Sequence, residues 1–239
     1  MLAYEEIFNQ RGRSYHLAMD KYPAARDEEF KTLVKKLNQS SGSVILDLPA
    51  GGGYLHDYLN EDVKYLAYDF SGEFNDQHSG IHKCKESRID LDDESVFEVV
   101  SLAALHHIVA RKDFYAEMYR ILKPGGRMII ADVKVADKIS RFLNGFVDQW
   151  NSMGHQGKFI RNEDDSEIRN AGFEVLVEKE SYFWHFENEP SALEFFRLLF
   201  GLDLNPSDEE LKKALLELGA NDNKGFSVSW GLCYLICSK

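Results

Sequence analysis

The chain has 239 residues, 44% hydrophobic and 13% aromatic, which is enough for one α/β domain with a filled core. Its net charge of −12 would repel phosphate backbones and anionic lipids, so nucleic acid and membrane surfaces are disfavoured as partners. No apolar run approaches the length of a membrane-spanning helix. We therefore expect a single domain, 1–239, that binds a small molecule; its oligomeric state is not indicated.

The cysteines and the N-terminal residues indicate the cellular compartment of the protein. Cys84, Cys233 and Cys237 form no even disulfide framework, which predicts reduced thiols. The first residues lack the basic and apolar regions of a secretion signal. Together these features predict a cytoplasmic protein. No Cys/His set has structural-zinc spacing, so the sequence implies no metal.

The N-terminal 1–40 segment is predicted to form a helical cap ahead of the first strand. Helices are expected at 5–19 and 27–38, and in the second of these the apolar residues share one face. Gly42 ends this helical region before an apolar strand begins at Val44.

That strand leads directly into a glycine-rich turn, Pro49-Ala50-Gly51-Gly52-Gly53, where the backbone can approach a ligand closely. A helix is predicted from Tyr54, and its unpaired N–H groups and positive dipole end would face the polar tail of a nucleotide-like ligand. The next strand, 63–68, is followed by Asp69, whose carboxylate can accept both hydroxyls of a ribose. The alternative is that Asp69 caps a helix at Ser71 or Gly72; we favour the ribose.

Helices and strands continue to alternate along the chain, which predicts a doubly wound, mostly parallel sheet of α/β type. The remaining strands are expected at 79–83, 97–102, 127–133, 173–183 and 227–237, and the helices at 112–122, 137–151 and 164–171.

The segment 187–225 is a helical insertion before the last strand. It contains an aromatic helix at 193–200 and an acidic helix that begins at the 206–210 cap. The insertion would lie over the carboxyl end of the sheet, where open α/β folds bind ligands, and could form a lid. Ordinary packing of an amphipathic helix explains the same pattern, and the sequence leaves both readings open.

Four ordered motifs resemble those of class I S-adenosylmethionine-dependent methyltransferases of the small-molecule type. Asp47-x-Pro49-x-Gly51-x-Gly53 is similar to the D-x-G-x-G-x-G signature, and Asp69 follows at the expected distance. The other two motifs are 97–108, which ends in a Leu-His-His-Ile loop, and 120–130, an R-x-L-K-P-G-G corner. The likeness is close over 44–132 and implies a seven-stranded Rossmann-like sheet. Rossmann dehydrogenases instead use G-x-G-x-x-G.

The resemblance implies a set of residues that bind S-adenosylmethionine. Pro49 departs from the signature, because the family has its first glycine there; proline fixes φ and lacks an N–H, so close approach should depend on Gly51 and Gly53. Asp90 is expected to accept from the adenine amino group, with Glu86 or Asp92 as alternatives. The full set is Asp47, Pro49, Ala50, Gly51, Gly53, Asp69, Phe70, Ile89, Asp90, Leu102, Ala103 and Arg26.

The catalytic candidates are His106, His107 and Tyr15. The two histidines follow the fourth strand, where cofactor and acceptor would meet, and a neutral imidazole suits a general base. They could equally pack under the cofactor and cap the next helix. Tyr15 is expected to line the acceptor pocket, as are His155 and His185, and Arg26 or Arg13 could pair with the cofactor carboxylate.

The predicted activity is methyl transfer from S-adenosylmethionine to an oxygen, nitrogen or carbon nucleophile of a small molecule. The Asn-Pro-Pro-Tyr tetrad typical of base and glutamine N-methyltransferases is absent, since 101–104 reads Ser-Leu-Ala-Ala. Two alternatives are an S-adenosylmethionine-binding sensor or accessory protein without turnover and, less favoured, an NAD-dependent dehydrogenase.

Overall fold

The computed structural model describes residues 3–74, 80–222 and 225–239. Within them seven strands form one sheet in the order β3-β2-β1-β4-β5-β7-β6. Strands β1 to β5 are parallel, and β7 runs antiparallel to both β5 and β6. The strands are Val44–Asp47, Lys64–Asp69, Ile81–Lys83, Val96–Leu102, Leu122–Asp132, Glu174–Phe186 and Phe226–Ser238. The predicted seven-stranded, mostly parallel α/β sheet is confirmed.

Helices cover both faces of this sheet. They are α1 (Tyr4–Lys21), α2 (Asp27–Val34), α3 (Arg111–Ile121), α4 (138–150), α5 (Asn162–Asn170), α6 (Glu189–Phe200) and α7 (Asp208–Leu218). The middle of α4, Phe142–Val147, is a π-helix, a form often found at functional sites. None of the helices in the described ranges is long and apolar enough to cross a bilayer.

Neighbouring residues of the central strands point to opposite faces and fill two separate cores. In β4, Val99 packs into the core beneath α3, whereas Val100 packs into the larger core that contains α2 and α6. Ile129 and Ile130 of β5 divide in the same way. A sheet covered on both faces has continuous apolar strands, as the sequence pattern had indicated.

The structure differs from the sequence prediction in the helix after the glycine turn. Instead of an α-helix, Tyr54–Tyr58 forms a short 3-10 helix with no side-chain cap. Its tyrosines are drawn towards other elements: Tyr58 stacks on Phe30 of α2 at 4.8 Å and donates to Asp27. A helix this short offers a weaker dipole than the sequence analysis assumed, and the predicted contact with a ligand stays a prediction.

Several other boundaries differ. Helix α2 ends at Val34 rather than 38, because the backbone N–H of Asn38 donates to the buried carboxylate of Glu98 at 2.6 Å. Strands β6 and β7 are longer than predicted, since they pair along thirteen residues each. The third strand is described only from Ile81, and residue 79 of its predicted range lies outside the described residues.

Candidate functional site

The glycine turn connects the carboxyl end of β1 to the 3-10 helix and exposes its backbone to a cavity. Gly51 and Gly53 have positive φ values of 54° and 76°, which L side chains rarely adopt. A Cβ added at Gly51 would meet nothing within 4 Å, so its backbone faces open space. The Leu48–Pro49 peptide bond is cis. Close approach at Gly51 is therefore available, as the sequence indicated.

Asp69 lies next to this turn at the end of β2 and is fully buried. Its Oδ2 accepts hydrogen bonds from the Gly51 N–H at 2.8 Å and from the Tyr4 hydroxyl at 3.0 Å. Its Oδ1 accepts from the Ser71 N–H at 2.7 Å. The sequence offered capping of Ser71 and ribose binding as alternatives; the first contact is present, and helix α1 supplies a further donor.

A second buried carboxylate, Asp47, lies close to Asp69. Burial raises the pKa of Asp47 to about 7, although the hydrogen bond from Tyr65 opposes the shift and the charge of Asp69 adds to it. Burial also raises the pKa of Asp69 to about 7, against the hydrogen bonds from Ser71, Gly51 and Tyr4. The end of the sheet thus holds two carboxyl groups whose ionised forms are costly.

A cavity of about 50 Å³ lies over the carboxyl ends of β1 and β4. Among the predicted cofactor residues, those that line it are Asp47, Pro49, Ala50, Gly51, Leu102, Ala103 and Arg26. Tyr4, Phe8 and Tyr15 of α1 form its other wall. Ligand sites usually measure roughly 300–1,000 Å³, so α1 occupies much of the space that a nucleotide-sized molecule would need.

A second cavity of about 70 Å³ adjoins the first, and Phe8, Tyr15, Arg26 and Ala103 line both. Its walls are largely aromatic and aliphatic, and they include the indole rings of Trp184 and Trp230, which stack at 4.1 Å. Leu199 and Phe200 of α6 complete one side.

Three buried histidines, His106, His107 and His155, form one wall of this second cavity. Each offers a ring nitrogen, and these atoms lie within 4.8 Å of one another. Burial is the main reason why the pKa values of His107 and His155 are lowered, and the nearby His106 adds to the effect. The sequence had placed His106 and His107 side by side, but His155 is far away along the chain.

The histidines are held by residues that sequence reasoning missed. Asp132, at the end of β5, accepts from Nδ1 of His106 at 2.8 Å and from the His106 backbone N–H at 3.0 Å. Asn144, in the π-helical part of α4, accepts from Nδ1 of His155 at 3.0 Å. Asp132 is the last residue of β5, which lies beside the strand that leads into the His106–His107 loop. That position in the sheet could have indicated the contact between Asp132 and His106.

Arg26 is placed differently from the expectation. Its side chain is buried, with an ion pair to Glu29 and a hydrogen bond to the Tyr15 hydroxyl at 2.5 Å. Glu29 also accepts from the indole N–H of Trp184 at 2.8 Å. The guanidinium lines both cavities but already has a carboxylate partner, so the predicted pairing with a cofactor carboxylate is not prepared in this conformation.

Several other predicted residues lie outside the two cavities. Phe70 and Ile89 belong to the hydrophobic core. Asp90 is exposed, as is its alternative Asp92, and the adenine role stays a prediction for either. Gly53 lines an adjoining open groove. Arg13 and His185 are exposed, and His185 pairs with Glu28 at 3.0 Å.

Comparison with known proteins identifies a matching family for part of the chain. Residues 46–130 match the family described as "Methyltransferase domain". The 2-phytyl-1,4-beta-naphthoquinone methyltransferase of Arabidopsis thaliana chloroplasts is 32% identical over 125 residues, which are 44% of this chain and 48% of that protein. The malonyl-[acyl-carrier protein] O-methyltransferase of Marinomonas is 26% identical over 136 residues, 52% of this chain and 49% of that protein.

The matched segment, 46–130, is similar to class I S-adenosylmethionine-dependent methyltransferases. The chain spans about half the length of the curated relatives that it matches. The fold agrees: an S-adenosylmethionine-dependent methyltransferase of Thermotoga maritima, described as a possible histamine N-methyltransferase, superposes with a TM-score of 0.64 at 17% identity, covering 98% of this chain and 99% of that one.

Class I methyltransferases use S-adenosylmethionine as cofactor, and the turn of this chain fits that molecule in two respects. The backbone at Gly51 is open, and the carboxylate of Asp69 lies directly against that turn. Helix α1 does not fit, because the Tyr4 hydroxyl occupies the carboxylate and the cavity is small. Binding of a molecule of that size would require the start of α1 to move.

Helices α1 and α6 together cover the carboxyl edge of the sheet. The side chains of Arg11 and Ser14 donate to the carbonyls of Leu199 and Leu198 at 3.0 and 2.9 Å. Glu194 of α6 accepts from Lys21 and Tyr22 at the end of α1. The predicted N-terminal cap and the 187–225 insertion thus contact each other directly over the two cavities.

Proposed function

We propose that this protein transfers a methyl group from S-adenosylmethionine to an oxygen, nitrogen or carbon atom of a small, partly apolar acceptor. The observation that carries the proposal is the adjacency of the two cavities at the carboxyl edge of the sheet, with Tyr15 and Ala103 common to both. Methyl transfer requires donor and acceptor in line at near-attack distance, and much of the rate comes from that positioning.

The first cavity would hold the cofactor, which when bound supplies an electrophilic methyl group. Asp69 would accept from its ribose once Tyr4 withdraws, and the backbone at Gly51 would approach it closely. Arg26 would close the end of this cavity through its contact with Tyr15. Asp47 lines the same cavity as Gly51 and Arg26.

The second cavity would hold the acceptor. Its indole and phenyl walls suit a molecule with an aromatic or aliphatic body. The name of the first relative, a phytyl-naphthoquinone methyltransferase, supports an acceptor of that kind, whereas the second relative is named for a malonyl group on a carrier protein. His106, His107 and Tyr15 line this cavity, which supports their predicted contact with the acceptor. The insertion 187–225 would act as its lid, because α6 contributes Leu199 and Phe200. A cytoplasmic location stays a prediction.

The test has two stages, binding and turnover. Calorimetric titration with S-adenosylhomocysteine should give saturable binding in the micromolar range, about −8 kcal/mol, and NAD as control ligand should give none. Asp69→Asn should weaken this binding about tenfold, because it removes a charged acceptor worth roughly 1.5 kcal/mol, whereas Asp62→Asn, at an exposed position outside the proposed site, serves as the matched control.

For turnover, release of S-adenosylhomocysteine would be followed with a panel of reduced naphthoquinones, other phenols and acyl thioesters. Release with any of these supports the methyltransferase. Saturable binding without release across the panel would favour the sensor or accessory protein. Tight NAD binding without S-adenosylhomocysteine binding would contradict the proposal.

A further inference from the structure

We propose that His106, His107 and His155 form a binding site for one divalent transition-metal ion, with zinc as the first candidate. Their three ring nitrogens already lie within 4.8 Å of one another. In a tetrahedral zinc site with bonds of about 2.0–2.1 Å, ligand nitrogens are about 3.4 Å apart. Small rotations of the rings would therefore close the set around one ion. Imidazole is a favoured ligand of zinc and of several other divalent transition metals.

Two of the rings are already oriented as metal ligands usually are. Because Nδ1 of His106 bonds to a carboxylate, it is the protonated nitrogen, and Nε2 is left with a lone pair. Metal-bound histidines commonly donate their other N–H to a carboxylate or carbonyl in this way. Asp132 is itself held by the backbone N–H groups of His106 and Val133, so the ring orientation is fixed.

The same argument applies to His155. The amide of Asn144 is oriented by two contacts with Gly157, since its Oδ1 accepts from the Gly157 N–H at 2.8 Å and its Nδ2 donates to the Gly157 carbonyl at 2.9 Å. Its Oδ1 therefore faces Nδ1 of His155, which must donate. Nε2 of His155 is again the nitrogen with the free lone pair. Gly157 also leaves room for the cluster, because an added Cβ would lie 3.0 Å from the His106 ring and 3.1 Å from that of His155.

The third ring, that of His107, gives independent support for a bound ion. Its side chain is only 5% exposed, and its buried Nδ1 makes no hydrogen bond within the described part of the chain. A buried ring nitrogen without a partner is costly. It lies in the cluster with its ring centroid 4.1 Å from that of His106 and 5.1 Å from that of His155. A metal ion bound there would supply the partner.

The local charge also favours a cation. Asp132 is fully buried, and among the described residues no lysine or arginine forms an ion pair with it. Two guanidiniums line the cavity: that of Arg26 is neutralised by Glu29, whereas that of Arg11 donates to the carbonyl of Leu199. Arg11 opposes a cation, so Arg11→Met is expected to raise metal affinity severalfold.

Three protein ligands leave a fourth position open, as in catalytic rather than structural zinc sites. That position would face the second cavity, which the three histidines line together with Tyr15 and Trp230. It would take an oxygen donor, such as a hydroxyl or carbonyl group of the acceptor, and a bound metal lowers the pKa of a coordinated hydroxyl. This role for the ion rests on the proposed methyl transfer, whereas the site itself does not.

The experiment measures metal binding by the full chain without cofactor or acceptor. After chelator treatment and gel filtration, Zn²⁺ is titrated by calorimetry and Co²⁺ by visible absorption. We expect one ion per chain, and cobalt d–d bands of the intensity typical of four-coordinate sites. Asp132→Asn should weaken binding by about 10- to 100-fold, because His106 loses its orienting carboxylate.

His107→Phe is the decisive variant, because Nδ1 of His107 makes no hydrogen bond that the substitution would remove. The phenyl ring keeps the edge contacts with Tyr4 and Phe8, so we expect a folded protein with a cooperative thermal transition and no saturable metal binding. His82→Ala, at an exposed histidine of β3, is the matched control and should bind metal as the wild type does.

No saturable binding of either ion to the wild type would overturn the metal site, as would equal binding by folded His107→Phe. The proposed methyl transfer fails separately, through absence of S-adenosylhomocysteine binding or release. Binding of S-adenosylhomocysteine without binding of either metal ion would be consistent with the proposed methyl transfer and would contradict the metal site.

Discussion

The hydroxyl of Tyr4 donates a hydrogen bond of 3.0 Å to Oδ2 of Asp69, so the first turn of α1 occupies the carboxylate that the family resemblance assigns to the cofactor ribose. Tyr4 is itself buried, edge-on to Phe70 at 5.4 Å. The proposed ribose contact would require this bond to break and an apolar contact to be uncovered, so part of the binding free energy would be used to move α1.

Tyr4→Phe removes the competing donor and keeps the ring. We expect affinity for S-adenosylhomocysteine to rise about fivefold, because a hydrogen bond to a carboxylate contributes roughly 1 kcal/mol net. Calorimetry measures the change. Tyr58→Phe, which also removes a hydroxyl bonded to a carboxylate, is the control and should leave affinity unaltered. Weaker binding by Tyr4→Phe would mean that Tyr4 holds the cofactor rather than excluding it.

Arg26→Met tests whether Arg26 is structural. It leaves the fully buried Glu29 carboxylate without its cation, which typically costs about 3–5 kcal/mol of unfolding free energy. Urea denaturation should show this loss, whereas Arg13→Met, at an exposed position of α1, should change stability little. A stable Arg26→Met protein with weakened cofactor binding would instead support the carboxylate pairing predicted from the sequence.

The raised pKa of Asp47 leads us to expect that the stability of the protein depends on pH. Its pKa is about 7 in the folded protein, against an ordinary value of 3.8, so between these two pH values the folded state binds more protons than the unfolded state. The unfolding free energy contributed by this group is therefore present below about pH 4 and is lost as pH rises through 7. Asp47→Asn should reduce the fall in stability between pH 5 and pH 8, as followed by urea denaturation. An unchanged pH slope, equal to that of an Asp90→Asn control, would show that Asp47 is not the titrating group.

Phe200→Ala tests the insertion as a wall of the acceptor site. The ring contacts the stacked pair Trp184 and Trp230, at 6.4 and 6.0 Å between centroids. Its removal should raise the KM for an apolar acceptor about tenfold, a loss of roughly 1.4 kcal/mol of apolar contact, without altering S-adenosylhomocysteine affinity. Leu204→Ala, at an exposed residue of the same insertion, is the control. Equal KM values for both variants would remove α6 from the acceptor site.

The order of strands and helices follows from local sequence patterns, because apolar periodicity and turn residues act over short distances. The segment from Val44 to Asp69 shows this: the strand, the glycine turn and the final acid lie together as predicted. The prediction from local pattern differs from the structure where tertiary contacts determine the conformation. Tyr54–Tyr58 is an example, because its tyrosines pack against other helices.

Tertiary packing settles which side chains distant in the sequence come into contact. Tyr4 contacts Asp69, Glu29 accepts from Trp184, and His155 joins the His106–His107 pair. These contacts join residues far apart in the chain, and each depends on how helices close over the edge of the sheet. No spacing rule encodes such closure, because burial and pairing of charges are settled only when the whole core packs.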